Sequence, residues 1–343
     1  MTDIKDNVDL SNLNTMRCPS RCDFYCRGDS QQALIDALQW AKSNGVSVLV
    51  LGGGSNVILM PEVHALVLQP ALKGIALIAE SGNERIVRSA AGENWHALVM
   101  WTLRSGYYGL ENMALIPGSV GAAPIQNIGA YGIELHERFH SLRALNMDTF
   151  EVEEFDADRC RFGYRDSFFK GAEGRKYLVL DLCLRLSTVP DLRLDYPALR
   201  DQLSALGQSL DSCSPDDVAT AVMHLRKTKL PDPATVANAG SFFKNPIVGK
   251  DKLASLRERF PELVAYDIDA AHSKLAAAWL IDKAAWKGRE LGGIKVHDRQ
   301  ALVLTNPASR PASELLSVAD AIRADVQKMF AVELEIEPQI LGA

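Results

Sequence analysis

An α+β chain in two parts, meeting near residue 214, is predicted by three features of the 343-residue sequence. Helical and strand-like patterns intermix along the chain, and a glycine- and proline-rich stretch at 110–133 keeps no regular period. Ser214, Pro215 and Asp217 then open a second, helix-rich region. Taken in order, residues 29–44 predict a helix. Asp29 with Gln32 resembles a capping box, Leu34, Ala37, Leu38 and Ala41 share one face, and Gly45 fits the position past the end. VSVLVL (46–51) predicts a buried strand running into GGGSN (52–56), and VILMPEVHALVLQ after it predicts strand and turn. A second helix is predicted at 93–104, stopped by Gly106. Strands follow at 141–155 and 177–186, where Leu178, Leu180, Leu182, Leu184 and Leu186 alternate. Beyond Ser214, helices are predicted at 251–259, 273–286 and 313–330, with strands at 301–305 and 332–340.

Apolar residues at 47% and charged residues at 23% exclude a disordered, collagen-like or coiled-coil chain. The formal net charge of −6 argues against a broadly basic nucleic-acid surface. The longest apolar run, 275–281, is too short for a membrane span, and MTDIKDNVDL at the N-terminus shows no secretory signal. Six cysteines suit a reduced, cytoplasmic protein better than a disulfide scaffold. Cys18, Cys22 and Cys26 form C-x3-C-x3-C, which misses the usual metal spacings and has no histidine cluster beside it, so no metal is expected.

Several motifs carry chemistry. GGGSN after a strand suits a phosphate nest, although it lacks the third glycine of a dinucleotide fingerprint and reads equally as a tight turn. PGSVGAAP (117–124) and NIGAYG (127–132) form a second loop of small side chains and backbone donors. Two such loops favour a dinucleotide with a large ring system. RCRFGYRDS (159–167) offers Arg165 as a fork for carboxylate or phosphate. HLRKTKLPDP (224–233) places Arg226, Lys227 and Lys229 at a helix end before a rigid turn. NAGSFFKNP (238–246) sets Ser241 in a turn anchored by two phenylalanines, and ELEIEP (333–338) puts Glu333, Glu335 and Glu337 on one strand face.

Together these stretches, with KLAAAWLID and GGIKVHDRQALVL, closely resemble the UDP-N-acetylenolpyruvoylglucosamine reductase family over nearly the whole chain. The resemblance implies an FAD-binding region of the p-cresol methylhydroxylase/vanillyl-alcohol oxidase type at 13–213, in subdomains of about 13–75 and 76–213. An α+β substrate-binding domain follows at 214–343. By position, Gly52, Gly53, Gly54, Ser55 and Asn56 would hold FAD phosphates, and Ser119, Gly121, Ile128 and Gly129 lie in the second FAD loop. Arg165, Ser241 and Glu337 match the family's catalytic arginine, proton donor and glutamate, with Glu335 a competitor because Pro338 replaces a familiar ending. Tyr196, Lys229, Asn245, Tyr131, Tyr266 and Gln300 match substrate contacts, Tyr266 within an extra loop that closes over substrate.

The implied activity is NADPH-dependent, FAD-mediated reduction of UDP-N-acetylglucosamine-enolpyruvate to UDP-N-acetylmuramate. It serves peptidoglycan synthesis, and with it cell shape and division, in a cytoplasmic monomer with no nucleic-acid or membrane partner. Hydride addition would send charge onto the substrate carboxylate, which Arg165 neutralises, and Ser241 would protonate the neighbouring carbon. Two rivals stand beside this reading. Another FAD-linked oxidase of the same fold need not keep Ser241, and a non-catalytic nucleotide-sugar binder would lack flavin colour.

Overall fold

The computed structural model describes residues 3–342. They divide into two compact units: one holds the chain up to Val8, 22–53 and 64–228, the other 9–21, 54–63 and everything from Lys229 on. The division read from the sequence at 213/214 therefore falls one helix too early. That helix, α5 (Pro215–Lys229), sends Val218, Val222 and Leu225 into the first unit's core beside Leu98 and Val99 of α2 (Trp95–Arg104). A strong helix start marks an element boundary and says nothing about which core the helix joins.

The first unit has two larger sheets, beside a two-stranded ladder of Gly129–Ala130 with Ile133–Glu134. The smaller orders its strands Ile4–Asp9, Arg21–Gly28, Glu62–Pro70 and Val48–Val50, the last two parallel. The larger is antiparallel throughout, in the order Val152–Phe155, Phe139–Asn146, Tyr177–Ser187, Glu84–Ala90 and Ile75–Ser81. The single strand expected at 141–155 is thus a hairpin. Helix α1 (Gln31–Asn44) buries Leu34, Ala37, Leu38 and Ala41 against Leu66 and Leu68 of one sheet and Leu145, Leu178 and Leu180 of the other. Its cap is Ser30, whose Oγ accepts the Ala33 N–H at 3.2 Å, while Gln32 turns to Asp36. The expected Asp29 cap is off by one residue. Gly45 closes the helix at φ +66°, where a side chain would be strained.

The leucines of Tyr177–Ser187 do not share one face. Leu178 and Leu180 join the α1 core, whereas Leu182, Leu184 and Leu186 join the α2 core. The pairing partner of Arg143 is Asp181, but that of Ala144 is Val179, so Leu180 is skipped. This bulge inverts every side chain beyond it, and a sequence alternation cannot reveal it. Short helices α3 (Ala157–Cys160) and α4 (Pro197–Ala205), neither predicted from the sequence, complete the unit.

In the second unit, Asn238–Ser241, Val303–Thr305, Ile294–Val296 and Glu290–Leu291 form one antiparallel sheet. Ile247–Gly249, His272–Leu275 and Ala265–Asp267 form a second. Helices α6 (Lys250–Arg259), α7 (Ala277–Lys283) and α8 (Ala312–Phe330) pack Leu256, Leu280, Ile281, Leu315, Ile322 and Phe330 around Phe242, Phe243 and Trp286. The helix expected at 273–286 is strand as far as Leu275. An unbroken apolar run has no period to tell the two apart. The strand expected at 332–340 is regular only at Gln339–Leu341, which pairs parallel with Val57–Leu59.

The segments 9–21 and 54–63 belong here through specific bonds. Asn306, fully buried, donates to Met16 O at 3.0 Å and Arg310 O at 2.9 Å and accepts the Arg310 N–H at 2.7 Å. Asn306→Leu leaves those backbone groups buried and unpaired. The expected cost is about 1–3 kcal/mol, read as a lowered urea midpoint with an unchanged slope; an unmoved midpoint would refute Asn306 as the anchor.

Candidate functional site

The first unit brings its two glycine loops into contact. A Cβ on Gly53 would lie 2.9 Å from Gly118 Cα, and one on Gly52 would lie 2.7 Å from Ser119 Oγ. Gly121 approaches Ala91 as closely, at 2.6 Å, and Gly129 stands 2.6 Å from Ile133 O by the same measure. Among the described residues, the N–H groups of Gly52 and Gly53 donate to no protein acceptor, and Gly53 is exposed. Main-chain donors without protein acceptors, where two glycine loops meet, suit a diphosphate. Gly54, at φ +63° with its α-carbon packed on Leu13 O, falls with Ser55 and Asn56 in the second unit.

Arg165 is set by the loop that carries Ile128 and Gly129. Its Nη2 donates to Gly129 O at 2.7 Å, and Nη1 reaches Asn127 O and Glu134 Oε1, each at 3.4 Å. The loop is knotted by Asn127, fully buried, whose amide donates to Glu134 Oε2 at 2.8 Å and Gly163 O at 3.0 Å. Its Oδ1 accepts the His136 N–H at 3.0 Å. Sequence reading missed Asn127 and Glu134. The only signal was their place in NIGAYGIEL, where neither residue type announces a role.

Leu115 (φ +58°), Asn127 (+46°), Tyr131 (+49°) and Arg165 (+54°) all hold left-handed backbone without being glycine. Such outliers gather where surrounding contacts impose a shape. Tyr131 meets Tyr196 edge-to-face at 5.3 Å, and burial pushes its phenol pKa up. Arg226 donates from Nε to Leu115 O at 3.1 Å; burial lowers its pKa, with Tyr131 acting the other way.

In the second unit, Ser241 ends the strand Asn238–Ser241 after a shift in pairing at Gly240 (φ +72°), whose N–H donates to Asn238 Oδ1 at 2.9 Å. The neighbouring backbone pairs with the final acidic stretch. Glu337 N–H donates to Phe242 O and Lys244 N–H to Glu335 O, both at 2.9 Å. Glu335 is exposed and its carboxylate binds Lys244 Nζ at 2.5 Å. Glu337 is half-buried and lies beside the residue that follows Ser241. Asn245 accepts the first N–H of α7, that of Ala277, at 2.9 Å. Lys229 ends α5, Gln300 accepts the Leu302 N–H at 3.4 Å, and Tyr266 is exposed on its short strand. Cys18, Cys22 and Cys26 are all buried, Cys18 in the second unit and the others in the first. Burial pushes Cys18 and Cys26 up to about 11.

Residues 22–152 match the FAD binding domain family, and 232–341 match the C-terminal domain family of UDP-N-acetylenolpyruvoylglucosamine reductase. A UDP-N-acetylenolpyruvoylglucosamine reductase of Paraburkholderia phymatum is 47% identical over 96% of this chain and 95% of its own. The solved reductase of that name from Thermus caldophilus aligns with a TM-score of 0.67 at 19% identity, over 99% of this chain and 100% of the other. The 6-hydroxy-D-nicotine oxidase of Arthrobacter nicotinovorans shares the fold with a TM-score of 0.56 at 13% identity, over 97% of this chain and 87% of its own.

Gly53→Ala must push the two glycine loops apart, since backbone stands at 2.9 Å. The variant is expected to purify with well under half the flavin of the parent chain, measured by visible absorbance against protein; full occupancy would remove these loops from the cofactor site.

Proposed function

The chain belongs to the UDP-N-acetylenolpyruvoylglucosamine reductase family, and from that premise we propose how its residues carry the family's reaction. It is an FAD-dependent oxidoreductase that uses NADPH to reduce the enolpyruvyl ether of UDP-N-acetylglucosamine-enolpyruvate, a step of peptidoglycan synthesis. The 47% identity across 96% of the chain carries this conclusion. The product is UDP-N-acetylmuramate. The finer reading is a cytoplasmic monomer whose partners are the two nucleotides, with neither nucleic acid nor membrane. Among the described residues no helix is long and apolar enough to cross a membrane.

FAD, when bound, supplies the hydride chemistry between NADPH and the vinylic carbon. The chain supplies charge, position and a proton. Main-chain N–H groups of Gly52 and Gly53, with Ser119, Gly121, Ile128 and Gly129 of the second loop, suit the diphosphate and the ring system; Gly54, Ser55 and Asn56 continue the first loop. Arg165 is the group assigned to the substrate carboxylate. Charge builds there as the β-carbon gains hydride, and a preorganised guanidinium stabilises it by about 3–4 kcal/mol. Its bond to Gly129 O ties that charge to the loop carrying the cofactor contacts. Ser241 then donates its hydroxyl proton to the α-carbon, completing addition across the double bond. Lys229, Tyr196, Tyr131, Asn245, Tyr266 and Gln300 are assigned to the nucleotide-sugar.

Glu337, rather than Glu335, is assigned the active-site carboxylate. The support is positional: Glu335 is engaged with Lys244, and Glu337 is the half-buried member next to the Ser241 turn. Glu337→Gln is expected to lower kcat by more than about tenfold, while Glu335→Gln, a change to an exposed carboxylate, stays within about threefold. The reverse order would exchange the two assignments.

The reaction itself is checked in two halves under anaerobic conditions. NADPH should bleach the flavin absorbance, and the enolpyruvyl nucleotide should restore it. Ser241→Ala is expected to leave bleaching intact and to slow restoration by at least about 100-fold. Equal loss in both halves would deny Ser241 the proton-donor role, and no restoration in the parent protein would deny the substrate.

A further inference from the structure

Arg226 occupies an electrostatic position that the rest of the first unit does not share. Its guanidinium is half-buried, and among the described residues no carboxylate pairs with it. A desolvated cation without counter-charge is costly in the free protein and favours an anion arriving beside it. What aims the guanidinium is the Leu115 carbonyl, which accepts from its Nε at 3.1 Å; among the described residues neither Nη nitrogen donates to a protein acceptor.

Leu115 holds this carbonyl in place at φ +58°, a left-handed conformation that leucine avoids on steric grounds. The N–H of the same residue donates to His96 Nδ1 at 3.1 Å. Imidazole can accept there only when neutral, with its proton on Nε2. The surroundings keep it so. Burial first, then Lys227 and Arg226 on α5, lower the His96 pKa below the ordinary 6.5. Its place in the first turn of α2 acts in the same direction. The nearest acid along the chain, Glu93, is turned to Lys73 at 3.3 Å and to the Gly74 N–H at 2.8 Å.

We propose that His96 is a positioning residue: by accepting the Leu115 N–H it holds the strained turn whose carbonyl fixes Arg226, so that the guanidinium's outer nitrogens meet an anionic group of bound cofactor or nucleotide. The assignment rests on the FAD- and NADPH-dependent reading above. His96 touches no reacting atom and acts only through Leu115 and Arg226. Protonation at Nδ1 removes the acceptor, so the arrangement is complete above pH 6.5 and fails as pH falls through the lowered value in the folded protein.

The test uses the FAD-loaded protein with Arg226→Gln, His96→Leu, His96→Asn and the double variant Arg226→Gln/His96→Leu. Asparagine can offer an oxygen near the position of Nδ1; leucine offers nothing. The midpoint potential of the bound flavin and the dissociation constants of NADPH and the enolpyruvyl nucleotide are measured for each. Arg226→Gln identifies which of the three depends on the guanidinium. His96→Leu is expected to move that same quantity, by about tenfold for an affinity or by about 30 mV, its two-electron equivalent, for a potential. His96→Asn restores most of it, and His96→Leu adds nothing once Arg226 is glutamine.

Where the leucine variant does not fold, a pH series decides. The same quantity weakens below pH 6.5 in the parent and not in Arg226→Gln. A loss that asparagine fails to restore, a loss undiminished in the double variant, a parent indifferent to acid, or an Arg226→Gln that moves none of the three overturns the proposal. A parent protein that NADPH bleaches but the enolpyruvyl nucleotide cannot reoxidise counts against the reaction, and leaves the potential and the NADPH affinity to judge His96.

Discussion

The long loop that follows α2 has neither ladder nor helix long enough to satisfy its backbone, and the fully buried amide of Asn127 supplies the missing partners. Regular structure would satisfy those groups by repetition. Here one side chain joins three points, Gly163, Glu134 and His136, and the main-chain carbonyl of the same residue accepts from Arg165. The position of the arginine is therefore a consequence of how the loop closes. Asn112 extends the same device, donating to Tyr131 O and to Arg193 O. A loop built this way can hold left-handed residues that neither strand nor helix would accept, and it can expose main-chain donors without losing its shape.

Charge is organised against the overall balance. The chain carries a net −6, yet the groups assigned to ligand charge are Arg165, Lys229 and bare N–H groups that formal counting omits. Arg165 and Arg226, both in the first unit, are held differently. Arg165 keeps Glu134 as a partial counter-charge at 3.4 Å, so its field is damped until a ligand competes. Among the described residues Arg226 has a carbonyl partner and no carboxylate, and burial lowers its pKa. One is suited to charge that appears during a reaction, the other to charge that a ligand brings with it.

What could be read in the sequence follows from how local each signal was. The glycine loops, the Ser241 turn and the family resemblance rest on contiguous residues, and they led to the glycines that meet across the first unit. Helix α1 was legible because period, cap and terminal glycine agree within sixteen residues or so, apart from the one-residue displacement of its cap to Ser30. The leucines from Leu178 to Leu186 misled because a bulge opposite Arg143 changes their face, and the bulge is a property of the pairing. The unit boundary misled for the same reason. Segments 9–21 and 54–63 join the second unit through Asn306 and Gln339–Leu341, hundreds of residues away in sequence. Glu134 and His96 act through geometry alone, and no spacing rule singles them out.

The closing acidic stretch shows how a position can be ambiguous in sequence and distinct in structure. Glu335 and Glu337 share the same alternation, so a strand pattern cannot separate them. The antiparallel bridge of Ile336 with Phe243 separates them by register: one acid falls opposite Lys244, the other opposite Phe242. Lys244 then takes Glu335 and satisfies a side chain that is itself largely buried. That bond turns Glu335 toward the lysine and leaves Glu337 as the acid whose backbone pairs with the residue after the serine.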